Sequence, residues 1–566
     1  MTTVRQIADD YVTRYAAFDP VAATSAGIAG HDAELTDYSP EAARTRADHD
    51  RATLAALDAA DTSAPRDRIA ADVMREQLQA SLAAYDAGDH LRELSVLGSP
   101  VSGVRDVFDL MPNATADDWS VIADRLAALP QSLATFQAAL REGAATGVVA
   151  SQRQAFACGD QAATWGGLTA TTPFFESLVA NAPAELPASL RATLTEHADA
   201  ATATYAALAT YLREQYASRA DAADGVGRER YARSARRYLG IADLDLGATY
   251  AWGWEELDRI EHAMTQVADR IIPGAARREV IDHLETDPNR MVEGEDSLRA
   301  FLQDLMDRTI AELNGTQFDI PAPVQTVEAM IAPPGGAAAM YYTPPAEDFS
   351  RPGRTWYPTD GRTHFPLWHE VTTAYHEGVP GHHLQVGQVV FLADELTRYQ
   401  RTFGWTSGHG EGWALYAERL MGELGYLDDP AYELGMLAAQ AFRATRVIID
   451  IGMHCEMVIP KGRAHAGETW GADLALGFLL EHAPLLDDAF AQSEINRYLG
   501  IPGQAISYKV GERVWLEGRS AARANAGDSF DLKTWHAQAL DLGPLGLDQL
   551  ARELPTLGSV RSTTSS

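Results

Sequence analysis

The chain has few cysteines, few cations and no long apolar run. Only two cysteines occur in 566 residues, Cys158 and Cys455, and neither has a cysteine partner nearby in sequence. This spacing excludes a disulfide framework and a thiolate-rich zinc site. No run approaches the roughly 18 consecutive apolar residues of a membrane-spanning helix. Residues 1–20 lack the apolar stretch of a secretion signal, so we expect a cytoplasmic protein.

Negative charge dominates the chain. Lys and Arg total 46 whereas Asp and Glu total 79, which gives a formal net charge of −33. Binding to nucleic acid or to an anionic membrane needs clustered cations, so we expect neither as a partner. The expected partner is a small peptide or another small-molecule substrate, and the oligomeric state is left open.

The first 320 residues repeatedly show apolar positions at helical spacing. In one example, Thr115 is a predicted N-cap and an apolar stripe begins at Trp119. Pro130 is expected to interrupt this helix and Gly143 to end it. The composition, 46% hydrophobic and 22% charged, is that of a folded globular protein. We therefore expect a mainly α-helical fold.

The pattern changes near Pro321. Three β-prone runs, at residues 324–333, 337–343 and 354–358, predict a small sheet, and a helical pattern resumes near His364. We expect an N-terminal helical region at 1–320 and a second region at 321–557 that contains the sheet, as two halves of one body. Residues 558–566 are rich in Ser and Thr and are expected to be disordered.

Residues 375–385 have the layout of a zinc hydrolase motif. His376 is followed directly by Glu377 and, further on, by the adjacent pair His382 and His383. In such sites two neutral imidazoles and a third residue hold one zinc ion, and one coordination position stays open for water. The Glu beside the first His takes the proton of that water. We expect Glu377 to be this general base.

The spacing departs from the usual pattern, because position i+4 from His376 is Pro380. In a straight helix His382 would lie about 9 Å further along the axis, whereas two ligating nitrogens on one zinc need to be about 3–3.5 Å apart. Pro380 and Gly381 can form a bulged turn that brings the rings together. His382 is preferred as the second ligand since it needs the smaller bulge. His383 would then contact a ligand or the substrate.

A third ligand is expected from a later helix. Glu411 lies between two glycines at a predicted helix start, where backbones can approach closely. Glu418 follows two turns later on nearly the same face. We prefer Glu411 as the ligand, and Glu418 stays the alternative.

Other residues are candidates for binding the substrate. A metallopeptidase needs a donor for the oxyanion that forms at the scissile carbonyl, and Tyr508 is our candidate, with His454 as the alternative. Arg443, Arg446 and Lys509 could bind a substrate carboxylate, since guanidinium groups bind carboxylates in a bidentate manner.

Taken together, the motifs resemble a bacterial family of unknown function with a His-Glu-x-x-Pro-Gly-His-His signature, whose members look like helical zinc metallopeptidases. The wider relatives are the thermophile-type metallocarboxypeptidases, the thimet oligopeptidase group and the angiotensin-converting-enzyme group. The similarity covers roughly residues 5–555 and is carried, besides the histidine motif, by residues 227–231, 254–257, 443–454, 497–511 and 530–536.

The resemblance implies a zincin-like helical body with a deep cleft between two halves and a short sheet beside the metal helix. It also implies one zinc ion held by His376, His382 and Glu411, with Glu377 as general base. The expected function is that of a carboxypeptidase- or oligopeptidase-like metallopeptidase for short peptides. Two alternatives stay open, a zinc hydrolase of a non-peptide carbonyl compound and a non-catalytic binding protein on a degenerate zincin scaffold.

Overall fold

The computed structural model describes residues 2–169, 172–332, 340–359 and 361–559. These residues are mainly α-helical, which confirms the predicted fold class at this level. None of the helices in these ranges is long and apolar enough to span a membrane. The helices are α1 (Val4–Phe18), α2 (Pro20–Ser25), α3 (Pro40–Asp58), α4 (Pro65–Asp86), α5 (Pro100–Leu110), α6 (Ala116–Thr146), α7 (Gln152–Trp165), α8 (Phe174–Ala180), α9 (Ala188–Thr210), α10 (Gly227–Leu239), α11 (Leu246–Ile271), α12 (Arg277–Thr286), α13 (Glu295–Leu313), α14 (Glu370–Glu377), α15 (His382–Phe391), α16 (Arg398–Thr402), α17 (Ser407–Glu423), α18 (Pro430–His454), α19 (Ala472–His482), α20 (Asp488–Gly500), α21 (Ser507–Ala526), α22 (Leu532–Leu540) and α23 (Leu547–Glu553).

The predicted small sheet is present. Strand β4 (Gly353–Tyr357) lies in its centre, parallel to β2 (Val327–Ile331) and antiparallel to β3 (Tyr341–Thr343). A second antiparallel pair joins β1 (Met291–Glu293) to β5 (His364–Pro366). The sequence missed this pair, since both strands are only three residues long.

Two details of the sequence prediction are wrong. Helix α6 begins at the predicted N-cap Thr115 but continues through Pro130 to Thr146, and Gly147 ends it in a left-handed conformation. The apolar side chains before and after Pro130 are buried in one core. This burial outweighs the loss of the backbone hydrogen bond that proline cannot donate. Likewise, the chain at His364 is a strand, and the helix begins only at Glu370.

Some predictions lie outside the described residues. The turn predicted at 333–336 and the start of the following β-prone run are among residues 333–339, and most of the predicted disordered tail is among residues 560–566.

The buried apolar side chains form two clusters. The smaller cluster lies between Leu94 and Ala217 and is built mainly from α5 to α9. The larger cluster combines the N-terminal helices α1, α3 and α4 with α10 and most later elements, including the sheet. Residues on both sides of position 320 share this larger cluster. The predicted division of the chain at 320 stays a prediction.

Candidate metal centre

The two histidines of the motif lie on two short helices joined by a tight turn. Helix α14 ends at Glu377 and α15 begins at His382, so a break between helices takes the place of the predicted bulge within one helix. In the turn, the N–H of Gly381 donates to the carbonyl of Tyr375 at 3.0 Å. A Cβ atom on Gly381 would lie 2.0 Å from the carbonyl oxygen of His376. Only glycine therefore allows the chain to return so closely to α14.

This turn brings the side chains of His376 and His382 together, and α17 adds Glu411. One ligand atom from each of the three residues lies within 4.8 Å of the other two. Oε2 of Glu411 is 3.5 Å from Nε2 of His376 and 3.5 Å from Nε2 of His382. The two imidazole planes are almost perpendicular, at 87°, so their nitrogens converge on one point without the rings stacking.

Helix α17 also holds the turn in place. The indole N–H of Trp413 donates to the carbonyl of Pro380 at 2.8 Å and, less closely, to that of Gly381 at 3.3 Å. Trp413 is fully buried. The helix that supplies Glu411 therefore also fixes the backbone that leads into His382.

Glu418 orients the first histidine. Its Oε1 accepts a hydrogen bond of 2.8 Å from Nδ1 of His376, and its Oε2 accepts one of 2.5 Å from the Thr372 hydroxyl. In the neutral ring the proton therefore stays on Nδ1 and the lone pair is on Nε2, which faces Glu411. A carboxylate behind a histidine is the usual way in which proteins fix the tautomer of a metal ligand.

The electrostatics of the cluster favour a positive charge at its centre. Burial lowers the pKa of His376, but the Glu411 and Glu418 carboxylates outweigh burial and bring the pKa to about 9. Burial raises the pKa of the Glu411 carboxyl, but the His376 and His382 rings outweigh it and hold the pKa well below its ordinary value. The carboxylates are thus charged at neutral pH and attract a cation.

The residues fit a zinc ion. Two imidazole nitrogens and one carboxylate oxygen form a ligand set of catalytic zinc sites, and spacings of about 3–3.5 Å match Zn–N and Zn–O bonds near 2 Å. Oε2 of Glu411 is buried and makes no hydrogen bond with the residues that the structure describes. Such an uncompensated oxygen is costly without a partner, and a metal ion would supply one.

The family of the chain is shown by sequence. The model of the family "Bacterial protein of unknown function (DUF885)" matches residues 20–554. The chain belongs to this family. No curated protein matches the DUF885 chain at a significant level.

Two solved structures share the fold of this DUF885 chain. A "putative lipoprotein" from Colwellia psychrerythraea is 22% identical, with a TM-score of 0.82 over 98% of this chain and 99% of that one. A "putative lipoprotein of unknown function" from Shewanella oneidensis is 16% identical, with a TM-score of 0.74 over 98% of this chain and 99% of that one. At these identities the likeness shows the fold alone.

We call His376, His382 and Glu411 the triad. Tyr508, the candidate oxyanion donor, lies beside this triad in the DUF885 chain. Its ring is nearly parallel to that of His376, with centroids 6.5 Å apart, and the Arg446 guanidinium lies 4.6 Å from its centroid. Burial and the nearby charge of Glu411 raise the pKa of Tyr508, so the phenol keeps its proton at neutral pH. A protonated phenol can donate a hydrogen bond.

Close packing between helices α17 and α21 places Tyr508 there. A Cβ on Gly412 would lie 2.4 Å from the backbone of Gly511, and one on Gly511 would lie 2.0 Å from the carbonyl oxygen of Gly408. The two helices touch through backbone atoms, and Tyr508 on α21 is thereby brought to the level of Glu411.

His383 points away from the triad. Its Nε2 donates to the carbonyl of Val324 at 2.8 Å, and its Nδ1 accepts from the Tyr342 hydroxyl at 3.0 Å. Burial lowers its pKa to about 4, so the ring is neutral. With both nitrogens engaged, His383 ties the sheet to α15, and we do not retain it as a substrate-binding residue.

Three other candidates for substrate binding also have protein partners. Arg446 pairs with Glu494 at 2.9 Å, and Lys509 lies 2.8 Å from Glu256 and also bonds to Glu512. His454 is fully buried, with Nε2 3.1 Å from the carbonyl of Tyr498. Their predicted contacts with substrate therefore lack support from this arrangement.

Arg443 is different. Its guanidinium donates to the carbonyl of Ala439 at 3.2 Å, and no carboxylate of the described residues lies within 4.0 Å of it. Its charge helps to lower the pKa of Glu418, after the hydrogen bond from His376, which places Arg443 in the surroundings of the triad. Among the three predicted cations, Arg443 alone keeps a guanidinium without an acidic partner.

Sequence reasoning missed Trp405. Its side chain is 48% exposed, its ring lies 6.1 Å from that of His382, and it covers Gly410 at the start of α17. The sequence shows only a tryptophan between helices, and no spacing relates it to the histidine motif. The sequence shows a glycine at position 410, but it does not show that the Trp405 ring packs against this glycine.

Proposed function

We propose that this chain is a zinc-dependent hydrolase, and specifically a peptidase that cleaves short peptides. The observation that carries the proposal is the convergence of His376, His382 and Glu411 within 4.8 Å, with a glutamate directly after the first histidine. We also propose a zincin-like arrangement of the surrounding helices with a cleft that leads to this centre.

The proposed chemistry divides between the ion and the chain. Zinc, when bound, would supply a Lewis acid for the scissile carbonyl and would lower the pKa of a water molecule. Glu377 would take the proton of the attacking water and deliver it to the leaving amine. Glu377 as a whole residue is 7% exposed, and its carboxylate has no hydrogen bond or ion pair with the described residues. A general base needs a carboxylate that is free to accept a proton, since an ion pair with a cation would lower its basicity.

Tyr508 would donate to the oxyanion that develops at the carbonyl. The guanidinium of Arg446 packs against its ring and is itself fixed by Glu494 and Tyr498, at 2.9 Å each. The ring orientation is thus held without using the hydroxyl group. A donor that is in place before the reaction costs little reorganisation when charge develops.

Two features favour a peptide as the substrate. Strand β3 lies at an edge of the three-stranded sheet and is tied to α15 by the bond between Tyr342 and His383. An edge strand can pair with an extended peptide. Arg443 would bind a peptide carboxylate, since it lacks an acidic partner among the described residues.

Metal analysis and a peptide panel test the proposal. Purified protein is expected to contain one zinc ion per chain and to cleave some members of a panel of di- to decapeptides. Glu377→Gln should keep the zinc and lose turnover, whereas Glu481→Gln, at an exposed position, should keep both.

The other outcomes assign the alternatives. Stoichiometric zinc without cleavage of any peptide would favour a non-peptide carbonyl substrate. Failure to retain zinc would overturn the hydrolase proposal and favour a non-catalytic binding protein. Full activity of Glu377→Gln would overturn the proposed mechanism with Glu377 as general base.

A further inference from the structure

A second candidate site lies in a cavity of about 490 Å³ that none of the three triad residues lines. Its walls come from helices α1 to α5, from α10 and from residues 500–502. Tyr15 in its wall packs against the larger hydrophobic cluster, and Tyr38 packs against the smaller one. The cavity therefore lies where the two clusters meet, a usual place for ligand sites.

The lining of this cavity is cationic, in contrast to the chain. Five arginines and four carboxyl groups line it, although acidic residues in the whole chain outnumber basic ones by 79 to 46. The arginines are Arg46, Arg92, Arg230, Arg233 and Arg237. Hereafter we call the cavity that these five arginines line the arginine cavity.

Three of these arginines share one carboxylate. Arg92 donates to Oδ1 of Asp89 at 2.7 Å, Arg233 donates to Oδ2 at 2.8 Å, and Nε of Arg230 is 3.6 Å from Oδ1. Burial and the neighbouring guanidinium groups of Arg92 and Arg233 lower the pKa of Arg230 to about 10. The exposed carboxylate of Glu229 also lies 3.9 Å from Arg233, so two carboxylates face three guanidinium groups and one positive charge stays unbalanced.

The other two arginines, Arg46 and Arg237, do not share Asp89. No carboxylate of the described residues lies within 4.0 Å of the guanidinium of Arg46 or Arg237. Arg46 donates a hydrogen bond to the backbone carbonyl of Asp37 at 2.9 Å. Arg237 lines the cavity and is exposed to solvent.

Two carboxyl groups of the lining are already engaged. Asp19 accepts from the Thr36 hydroxyl and from the N–H of Ala22, at 2.6 and 3.0 Å. Asp50 accepts from the Tyr11 hydroxyl at 2.9 Å, and burial raises its pKa to about 6. Neither Asp19 nor Asp50 forms an ion pair within 4.0 Å with an arginine of the lining.

The arginine triplet borders open space on two sides. A second cavity, of about 390 Å³, is lined by the same Arg92, Arg230 and Arg233. A closed structural ion cluster would be packed on all sides, whereas these guanidinium groups stay accessible. Their surplus charge can therefore be met by a molecule from solution.

We propose that the arginine cavity binds a small organic anion with two or more negative charges, a phosphate ester or a polycarboxylate. Guanidinium groups bind phosphate and carboxylate oxygens in the same bidentate manner. The volume of the cavity suits a small molecule, since ligand pockets measure about 300–1,000 Å³. The proposal does not depend on the metal centre.

Isothermal titration of the full chain with inorganic phosphate and with citrate tests this site. We expect saturable 1:1 binding of at least one probe, and the tighter probe assigns the ligand as a phosphate or as a polycarboxylate. The titrations are made with zinc-loaded and with EDTA-treated protein. Equal affinities in the two states would show that the anion does not bind to the metal.

Matched variants locate the binding. Arg237→Gln and Arg46→Gln should each weaken binding about tenfold or more, since each removes a charged donor. Arg278→Gln, at an exposed arginine that pairs with Asp282 and lies outside the cavity lining, should leave the affinity unchanged. Glu93→Gln removes a carboxyl group from the lining and should tighten binding severalfold, a gain that misfolding cannot produce.

Two results would overturn the proposal. One is the absence of saturable binding of both probes by the folded wild-type chain. The other is an unchanged affinity in Arg237→Gln and Arg46→Gln together with an unchanged affinity in Glu93→Gln.

Discussion

Glu418 lies behind His376 and accepts the 2.8 Å hydrogen bond from its Nδ1, so that Nε2 of the same ring is presented to Glu411. Glu418 is fully buried, so water cannot replace it as the acceptor of this hydrogen bond. The relationship sets the tautomer and orientation of the His376 ring before any metal ion binds.

Replacing this carboxylate should weaken metal binding. We expect Glu418→Gln to lower zinc affinity by about 10- to 100-fold, because the amide stabilises the Nδ1 proton less well than a carboxylate does. Competition with a fluorescent chelator measures the affinity. Glu423→Gln, on the same helix but paired with Arg519, is the control and should bind zinc as the wild type does. Equal affinity of Glu418→Gln and wild type would contradict this role.

Metal removal should lower thermal stability. Free zinc at 1,000 times its dissociation constant would stabilise the folded chain by about 4.1 kcal/mol through linkage alone. We expect EDTA to lower Tm and added Zn²⁺ to restore it, as followed by calorimetry. Mg²⁺ should not restore it, because this ion prefers oxygen ligands. A His382→Ala variant should show no response to zinc, and a response equal to that of wild type would refute the site.

Tyr508→Phe should lower kcat by about 10²- to 10³-fold with little change in KM, the usual effect of losing one oxyanion donor. The variant should keep its zinc, since Tyr508 is not a ligand. Tyr342→Phe is the matched control, because its hydroxyl binds His383, whose nitrogens face away from the triad. A kcat within twofold of wild type in Tyr508→Phe would remove this tyrosine from the mechanism.

Arg443→Gln should affect substrates according to their C-terminus. For peptides with a free carboxylate we expect KM to rise by about tenfold or more, the cost of losing one charge-assisted hydrogen bond. Peptides with an amidated C-terminus should be cleaved equally well by variant and wild type. An equal loss on both kinds of peptide would indicate a structural role for Arg443 instead.

A buried carboxyl group on α14 predicts a dependence of stability on pH. Burial raises the pKa of Glu370 from 4.5 to about 7, and Arg362 opposes this only in part. A carboxyl group whose pKa is higher in the folded state contributes stability below pH 4.5 that is lost as the pH rises towards 7. Glu370→Gln cannot ionise and should lack this loss.

Denaturant unfolding of EDTA-treated protein measures the difference. Between pH 4.5 and 7 the unfolding free energy of wild type should fall relative to that of Glu370→Gln, by about 3 kcal/mol at most. Glu481→Gln should follow the wild type. Parallel curves for wild type and Glu370→Gln would show that the carboxyl group is not buried in this way.

The sequence predicts those parts of the molecule that depend on local spacing. The predicted N-cap at Thr115 and the predicted small sheet are both present. The triad residues could be named because zinc chemistry requires two histidines and an acidic residue, and the chain has few such groupings. Whether they bind zinc stays a prediction.

The rest depends on contacts that spacing does not show. Glu411 and Glu418 lie on one face of α17, but only the fold shows that the first meets the triad and the second meets Nδ1 of His376. The contact of Trp413 with Pro380 and the five arginines of the cavity join residues far apart in the chain. Such pairings are decided by the packing of helices, which one sequence does not reveal.

The bond from Trp413 to the turn has a kinetic consequence. Trp413 follows Glu411 by two residues on α17, so that local unfolding of this helix would withdraw one ligand and free the backbone before His382 in the same event. An ion held by the triad would then dissociate at the rate at which α17 opens, and not by the stepwise loss of single ligands. Amide hydrogen exchange along this one helix would therefore report the opening rate that limits the lifetime of an ion at this site.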